Sequence, residues 1–179
     1  MHYTRRMAEP SKDPQDAAHW GAVEEVAELL QEERYADALV ALREILRIEP
    51  KNPYAFHYLG LAFFETAQRE AARDAYRAAL RLAPNYLGAR VALSHVLRIL
   101  GDIDGALREA KEAARRFPKD PDAMHAAGLA HAARGDRAAA RRNLEGFLGS
   151  NPEFEVATEV RGILEMLGIG GEDEPLEIK

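Results

Sequence analysis

Three histidines carry the clearest chemical potential in this chain. His57, His95 and His125 fall on three different segments of helical periodicity, and three imidazoles can hold zinc when their nitrogens converge at about 2.0–2.1 Å from the ion. Packed helices stand about 8–10 Å apart, which works against convergence of all three. No metal site and no cofactor is expected, and His131, on the same helix as His125, points elsewhere. As hydrogen-bonding groups the histidines would instead make binding sensitive to pH near about 6–7. The remaining residues offer no catalytic pattern. There is no HExxH, no phosphate-binding glycine loop and no serine elbow. Gly168, Ile169, Gly170 and Gly171 run into acidic residues with no helix behind them, which a dinucleotide site would require. The pairs Glu24–Glu25 and Glu32–Glu33 are adjacent along a helix and so diverge. The chain has no cysteine, which removes disulfides, zinc-thiolate sites and cysteine nucleophiles together. An enzyme is not expected.

The elements that position these residues are set by a period. Pro50, Pro84, Pro118 and Pro152 lie 34 residues apart, and Ala38, Ala72, Ala106 and Ala140 keep the same interval. A fixed period of this length marks a repeated structural unit. The clearest copy, Pro53 to Tyr86, holds two apolar helical stripes: Phe56, Leu59, Gly60 and Phe63, then Ala72, Tyr76, Ala79 and Leu80. Each set falls on one helix face. Gly60 and Ala72 have little or no side chain, so the two helices can cross closely, and a bulkier residue would overpack by about 1–3 kcal/mol. Pro84 has no N–H and clashes with the preceding turn, so it ends the unit.

These residues resemble the tetratricopeptide repeat family over roughly three quarters of the chain. The copy from Pro53 has Phe56, Leu59, Gly60, Phe63, Ala67, Ala72, Tyr76, Ala79 and Pro84 at the family's signature places. The copy at 87–120 keeps Leu93, Gly101, Ala106, Ala113 and Pro118, with Arg90 and Ser94 as departures; the copy at 121–154 keeps Gly128, Gly135, Ala140 and Pro152, with Met124, His131 and Phe147 as substitutions. The copy at 19–52 is the weakest, as terminal repeats often are. The resemblance implies an all-α, right-handed superhelical array of about four helical hairpins. A capping helix is expected over 155–167 from Val156, Val160, Ile163, Leu164 and Leu167. Residues 1–18 and 168–179 are expected to be flexible, and translation from Met1 or Met7 is left open.

The resemblance also implies a working surface. In this family the second, fifth, ninth and twelfth positions of each first helix face a concave groove. Here those places hold Trp20, Val23, Ala27 and Leu30; Tyr54, His57, Leu61 and Phe64; Gly88, Val91, His95 and Arg98; and Asp122, His125, Leu129 and Ala132. The candidate peptide-binding residues are thus Trp20, Val23, Tyr54, His57, Leu61, Phe64, Val91, His95, Arg98, His125 and Leu129. Such a surface suits a segment bearing apolar or aromatic side chains. The competing reading is that individual residues, Tyr58 and Phe64 especially, pack between hairpins. One family subtype clamps C-terminal carboxylates with Lys, Arg and Asn. Only Arg98 could serve that role, so a ligand of that kind is not implied.

Composition bounds the rest. The 179 residues are 47% apolar, enough for one domain with a continuous core. No apolar run approaches the roughly 20 residues of a membrane span, the N-terminus has no apolar signal core, and a cytoplasmic location is expected. The net charge of −6 divides unevenly: residues 1–52 hold 7 basic and 11 acidic groups, residues 53–154 hold 15 and 12, and residues 155–179 hold 2 and 7. Arg69, Arg73, Arg77 and Arg81 form a ridge on one helix, read as a solvated face with Glu65 and Glu70 as neighbours. Nucleic acid is not an expected partner, because the chain is acidic and carries no recognised motif. The leading reading is a non-enzymatic adaptor for a protein or peptide segment. A dedicated client chaperone of the kind that serves secretion systems, and a self-associating scaffold, are the alternatives. The acidic tail, through Leu176 and Ile178, is a further candidate for docking.

Overall fold

Each repeated proline sits just beyond a helix, and each repeated alanine lies inside one. The computed structural model describes residues 14–169. Among them are ten helices and no strand: α1 (Pro14–Gly21), α2 (Glu24–Gln31), α3 (Tyr35–Ile48), α4 (Pro53–Glu65), α5 (Arg69–Leu82), α6 (Leu87–Ile99), α7 (Ile103–Arg116), α8 (Pro121–Arg134), α9 (Arg137–Leu148) and α10 (Phe154–Ile169). The fold is all-α and built of helical hairpins, as expected. The chain divides into two compact units, with the boundary between Val96 and Leu97.

In the first unit α4 packs against α5, α3 and the short helices α1 and α2. Its buried cluster joins Val23, Val26, Leu29 and Leu30 to Leu42, Tyr54, Tyr58 and Tyr86. The hairpin α4–α5 closes on Gly60, where a Cβ would meet the Tyr76 ring at 2.5 Å. The start of α4 is fixed by Asn52, whose side chain accepts from the backbone N–H groups of Tyr54 and Ala55 at 3.0 Å each, with Pro53 as the first helical residue. Asn52 also donates to the His19 carbonyl and to Glu49, both at 2.9 Å.

Two differences from expectation appear here. The stretch 1–18, expected to be flexible throughout, is helical from Pro14; Asp16 on that helix accepts a 2.7 Å hydrogen bond from the Tyr54 hydroxyl, which ties the turn to α4. The first repeat also lacks a continuous first helix. Its chain breaks at Ala22 and Val23, and Val23 (φ −111°, ψ 2°) caps α2, so Trp20 sits on α1 while Ala27 and Leu30 sit on α2.

In the second unit α8 packs between α7 and α9, and α10 packs on α9. Gly128 meets Leu144 as Gly60 meets Tyr76, with a Cβ-to-side-chain distance again of 2.5 Å. Asp102, Asp120 and Asp136 cap α7, α8 and α9, each accepting from backbone N–H groups of the first turn. The buried cluster of this unit joins Leu129, Ala132, Ala140, Leu144 and Phe147 to Val160, Ile163 and Leu167 of α10.

The hairpin turns repeat as strictly as the helices. Glu33, Ala67, Gly101 and Gly135 all have left-handed backbone, with φ of 58°, 61°, 81° and 88°, and each is 34 residues from the next. Two of the four positions therefore hold a side chain where glycine is the unstrained choice.

Candidate functional site

First-helix residues of the first unit form a run of ring contacts with Tyr86, which lies between α5 and α6. Trp20 meets Tyr54 edge-on at 5.2 Å between centroids, Tyr54 meets Tyr86 at 5.2 Å, and Tyr86 meets His57 at 4.9 Å. His57 also approaches Tyr58 and Tyr76, at 5.6 Å each. Edge-on contacts of this kind add to area burial because a ring's positive edge meets its neighbour's negative face. Gly88 lies beside the run: a Cβ there would sit 3.3 Å from Tyr86 and 3.6 Å from His57.

Burial sets the charge states. His57 is partly exposed as a residue, but its Nδ1 is out of solvent contact and has no hydrogen-bond partner, as is the Tyr86 hydroxyl. Desolvation lowers the His57 pKa to about 4, so the imidazole is neutral at physiological pH. Burial, and then the hydrogen bond to Asp16, raise the Tyr54 hydroxyl far above its ordinary range. The rings themselves are uncharged, and the Asp16 carboxylate stands at the Tyr54 hydroxyl.

Farther along α4, Phe64 is half-buried. The Arg69 guanidinium lies 4.3 Å over its ring and donates to the Phe64 carbonyl, while His95 approaches the same ring at 5.4 Å. A cation over an aromatic face is attracted by the ring quadrupole, which fixes both side chains. Leu61, one turn before, is half-buried.

The second unit contributes a different pair. Arg98 and His125 are both buried. His125 stacks on Phe147, with centroids 4.6 Å apart and planes within 20°. Burial, and then the Arg98 charge, lower its pKa to about 4. The expectation that the histidines would switch near pH 6–7 is thus overturned for His57 and His125, because desolvation disfavours the imidazolium at both and a neighbouring positive charge adds to it at His125. Among the described residues no group of three or more His, Cys, Asp or Glu could hold a metal ion.

The candidate residues are therefore not equivalent. Trp20, Tyr54 and His57 are brought together with Tyr86, Phe64 with His95, and Arg98 with His125. Val23 and Tyr54 belong to the core cluster of the first unit, and Leu129 to the α8–α9–α10 cluster. Val91 is buried at 2% exposure. The arginine ridge also differs from expectation in its partners: Arg73 pairs with Asp74 at 2.8 Å, Arg77 stands 3.9 Å from the same carboxylate, and Arg69 is taken up by Phe64. Tyr86 and Phe147 were missed, since neither falls on a groove position of a first helix. Asn52 was missed although its place before Pro53 is a helix-start signal. No described helix is long and apolar enough to cross a membrane.

Comparison with known proteins agrees with this construction. A family model described as the tetratricopeptide repeat matches residues 24–86 and 91–145. The probable biofilm formation methyltransferase WspC of Pseudomonas aeruginosa is 33% identical over 100 residues, which are 56% of this chain and 24% of that protein. The crystal structure of TTC0263, a thermophilic tetratricopeptide protein of Thermus thermophilus, superposes with a TM-score of 0.67 at 24% identity, covering 83% of this chain and 80% of the other. The first such domain of Spaghetti (RPAP3), bound to the HSP90 peptide SRMEEVD, superposes with a TM-score of 0.58 at 15% identity, over 63% of this chain and 89% of that one. The periodic prolines, the glycine-closed hairpins and the family match lead to one conclusion: the chain belongs to the tetratricopeptide repeat family.

Proposed function

We propose that this chain is a non-enzymatic adaptor that holds an apolar or aromatic segment of another protein on its first-helix residues. The observation that carries this reading is the set of partly exposed apolar and aromatic side chains Trp20, His57, Leu61 and Phe64 on the first helices, backed by the buried rings of Tyr54 and Tyr86. Rings supply large contact area at little conformational cost. An acidic peptide such as the one bound to the Spaghetti domain fits less well, because Arg98 is the one cation among the candidate residues. The WspC likeness spans a quarter of that protein, and we read it as a likeness of repeats, not of methyl transfer.

The test is selection of random peptides displayed on phage against the wild-type protein and against a fold-checked Leu61→Glu variant. Enriched sequences should carry Phe, Tyr, Trp or Leu and should lose binding to the variant. Enriched peptides that bind both proteins alike, or that are uniformly acidic, would overturn the reading.

A further inference from the structure

The arginine ridge of α5 does not begin as it continues. Arg73 and Arg77 share the Asp74 carboxylate, at 2.8 and 3.9 Å. Arg69, the first residue of α5, turns to α4 instead. Its guanidinium lies 4.3 Å over the Phe64 ring, and its Nη1 donates to the Phe64 carbonyl. Among the described residues no carboxylate pairs with it, although Glu65 and Glu70 are close in sequence. Stacking and one hydrogen bond therefore fix this cation without neutralising it. A guanidinium carries five N–H donors, so most of the Arg69 fork is left for a further acceptor.

The arrangement occurs in one copy of the repeat. Residues 30, 64, 98 and 132 are Leu, Phe, Arg and Ala, and residues 35, 69, 103 and 137 are Tyr, Arg, Ile and Arg. Arg137, the counterpart of Arg69 in the last copy, has Ala132 in place of the ring and donates to the Leu167 carbonyl at 3.3 Å. The fixed cation thus stands at the copy that also carries the partly exposed His57, Leu61 and Phe64. A partner group that covers the exposed part of Phe64 also shields the guanidinium stacked on it from water. Shielding a cation with apolar atoms alone is costly, because its hydration is lost and nothing replaces it. A carboxylate matched to the planar fork offsets that cost with charge-assisted hydrogen bonds.

We infer that Arg69 determines specificity at the proposed peptide site: within an otherwise apolar segment it selects one Asp or Glu side chain beside the aromatic or leucine residue that rests on Leu61 and Phe64. The inference depends on the adaptor reading above and defines the partner's chemistry more closely.

The test repeats the phage selection on the wild type, Arg69→Gln and Arg69→Lys. Peptides enriched on the wild type should carry one acid within a few residues of the aromatic or leucine. Those enriched on Arg69→Gln should keep the apolar residue and lose the acid. Enriched peptides are then synthesised with both ends blocked, with the acid or its amide, and their binding is read by fluorescence anisotropy. Replacing the acid by its amide should weaken binding to the wild type by about tenfold and leave binding to Arg69→Gln unchanged, a coupling that a merely structural role for Arg69 would not produce. Arg69→Lys should keep part of the preference, since it retains the charge and loses the fork. Apolar peptides enriched without an acid, an equal effect of the amide on both proteins, or binding that needs an unblocked C-terminus would overturn the inference and leave the adaptor reading standing. Loss of the apolar preference itself, or binding indifferent to Leu61→Glu, would overturn both.

Discussion

Gly60 lies under the ring of Tyr76 at a distance that leaves no room for a methyl group, since a Cβ on residue 60 would stand 2.5 Å from the ring. Tyr76 is almost fully buried and cannot swing away. Gly60→Ala should therefore destabilise the protein by about 1–3 kcal/mol, even though alanine is the better helix former. The same change at Gly162, where no described atom lies within 4 Å of the added Cβ, should stabilise by about 0.5–1 kcal/mol. Urea unfolding of the two variants side by side checks both signs.

The left-handed turn residues give a second pair of opposite effects. Ala67 has φ 61° and Gly101 has φ 81°. Removing the Cβ in Ala67→Gly should relieve about 1 kcal/mol of backbone strain, and adding one in Gly101→Ala should introduce a similar amount. Thermal melts should move upward for the first and downward for the second.

Acid should weaken the fold through buried imidazoles before most carboxylates titrate. His57 and His125 have folded pKa values of about 4, below the ordinary value of about 6.5 in an unfolded chain. As pH falls from about 6.5 toward 4 the unfolded chain takes up these protons first, so these two groups make stability fall through that window and leave it unchanged above it. His125→Phe keeps a ring against Phe147 and should make the decline shallower. Stability measured from pH 7.5 to 4.5 for both proteins tests this, and an identical slope would contradict it.

Asn52 joins three parts of the first unit. It is fully buried, caps α4 through two N–H groups, and donates to the His19 carbonyl. Asn52→Ala should cost about 1–3 kcal/mol, more than an exposed cap would, because the freed N–H and C=O groups remain out of water. Asn52→Asp keeps the cap acceptor but loses the donor to His19 and sets a carboxylate beside Glu49. It should not restore stability, as chemical denaturation of the three proteins would show.

The period of prolines and alanines by itself determined the hairpin unit, because Pro ends a helix and a small residue permits close crossing wherever they occur. Gly60 could be read the same way, and the structure supplied only the identity of its neighbour. What a side chain faces is another matter. Val23, Tyr54 and Leu129 occupy groove positions by count, yet they are buried in core clusters, since burial depends on helices distant in sequence. The break at Ala22 and Val23, and the left-handed Glu33, went unseen because neither carries a glycine or proline at the bend itself. Burial also moved His57 and His125 out of the physiological range, through desolvation that no spacing reports. Gly162 is the sharpest case. The sequence repeats the glycine, and only the tertiary structure shows that Tyr76 and Leu144 close on Gly60 and Gly128 while no described atom lies within 4 Å of a Cβ at Gly162.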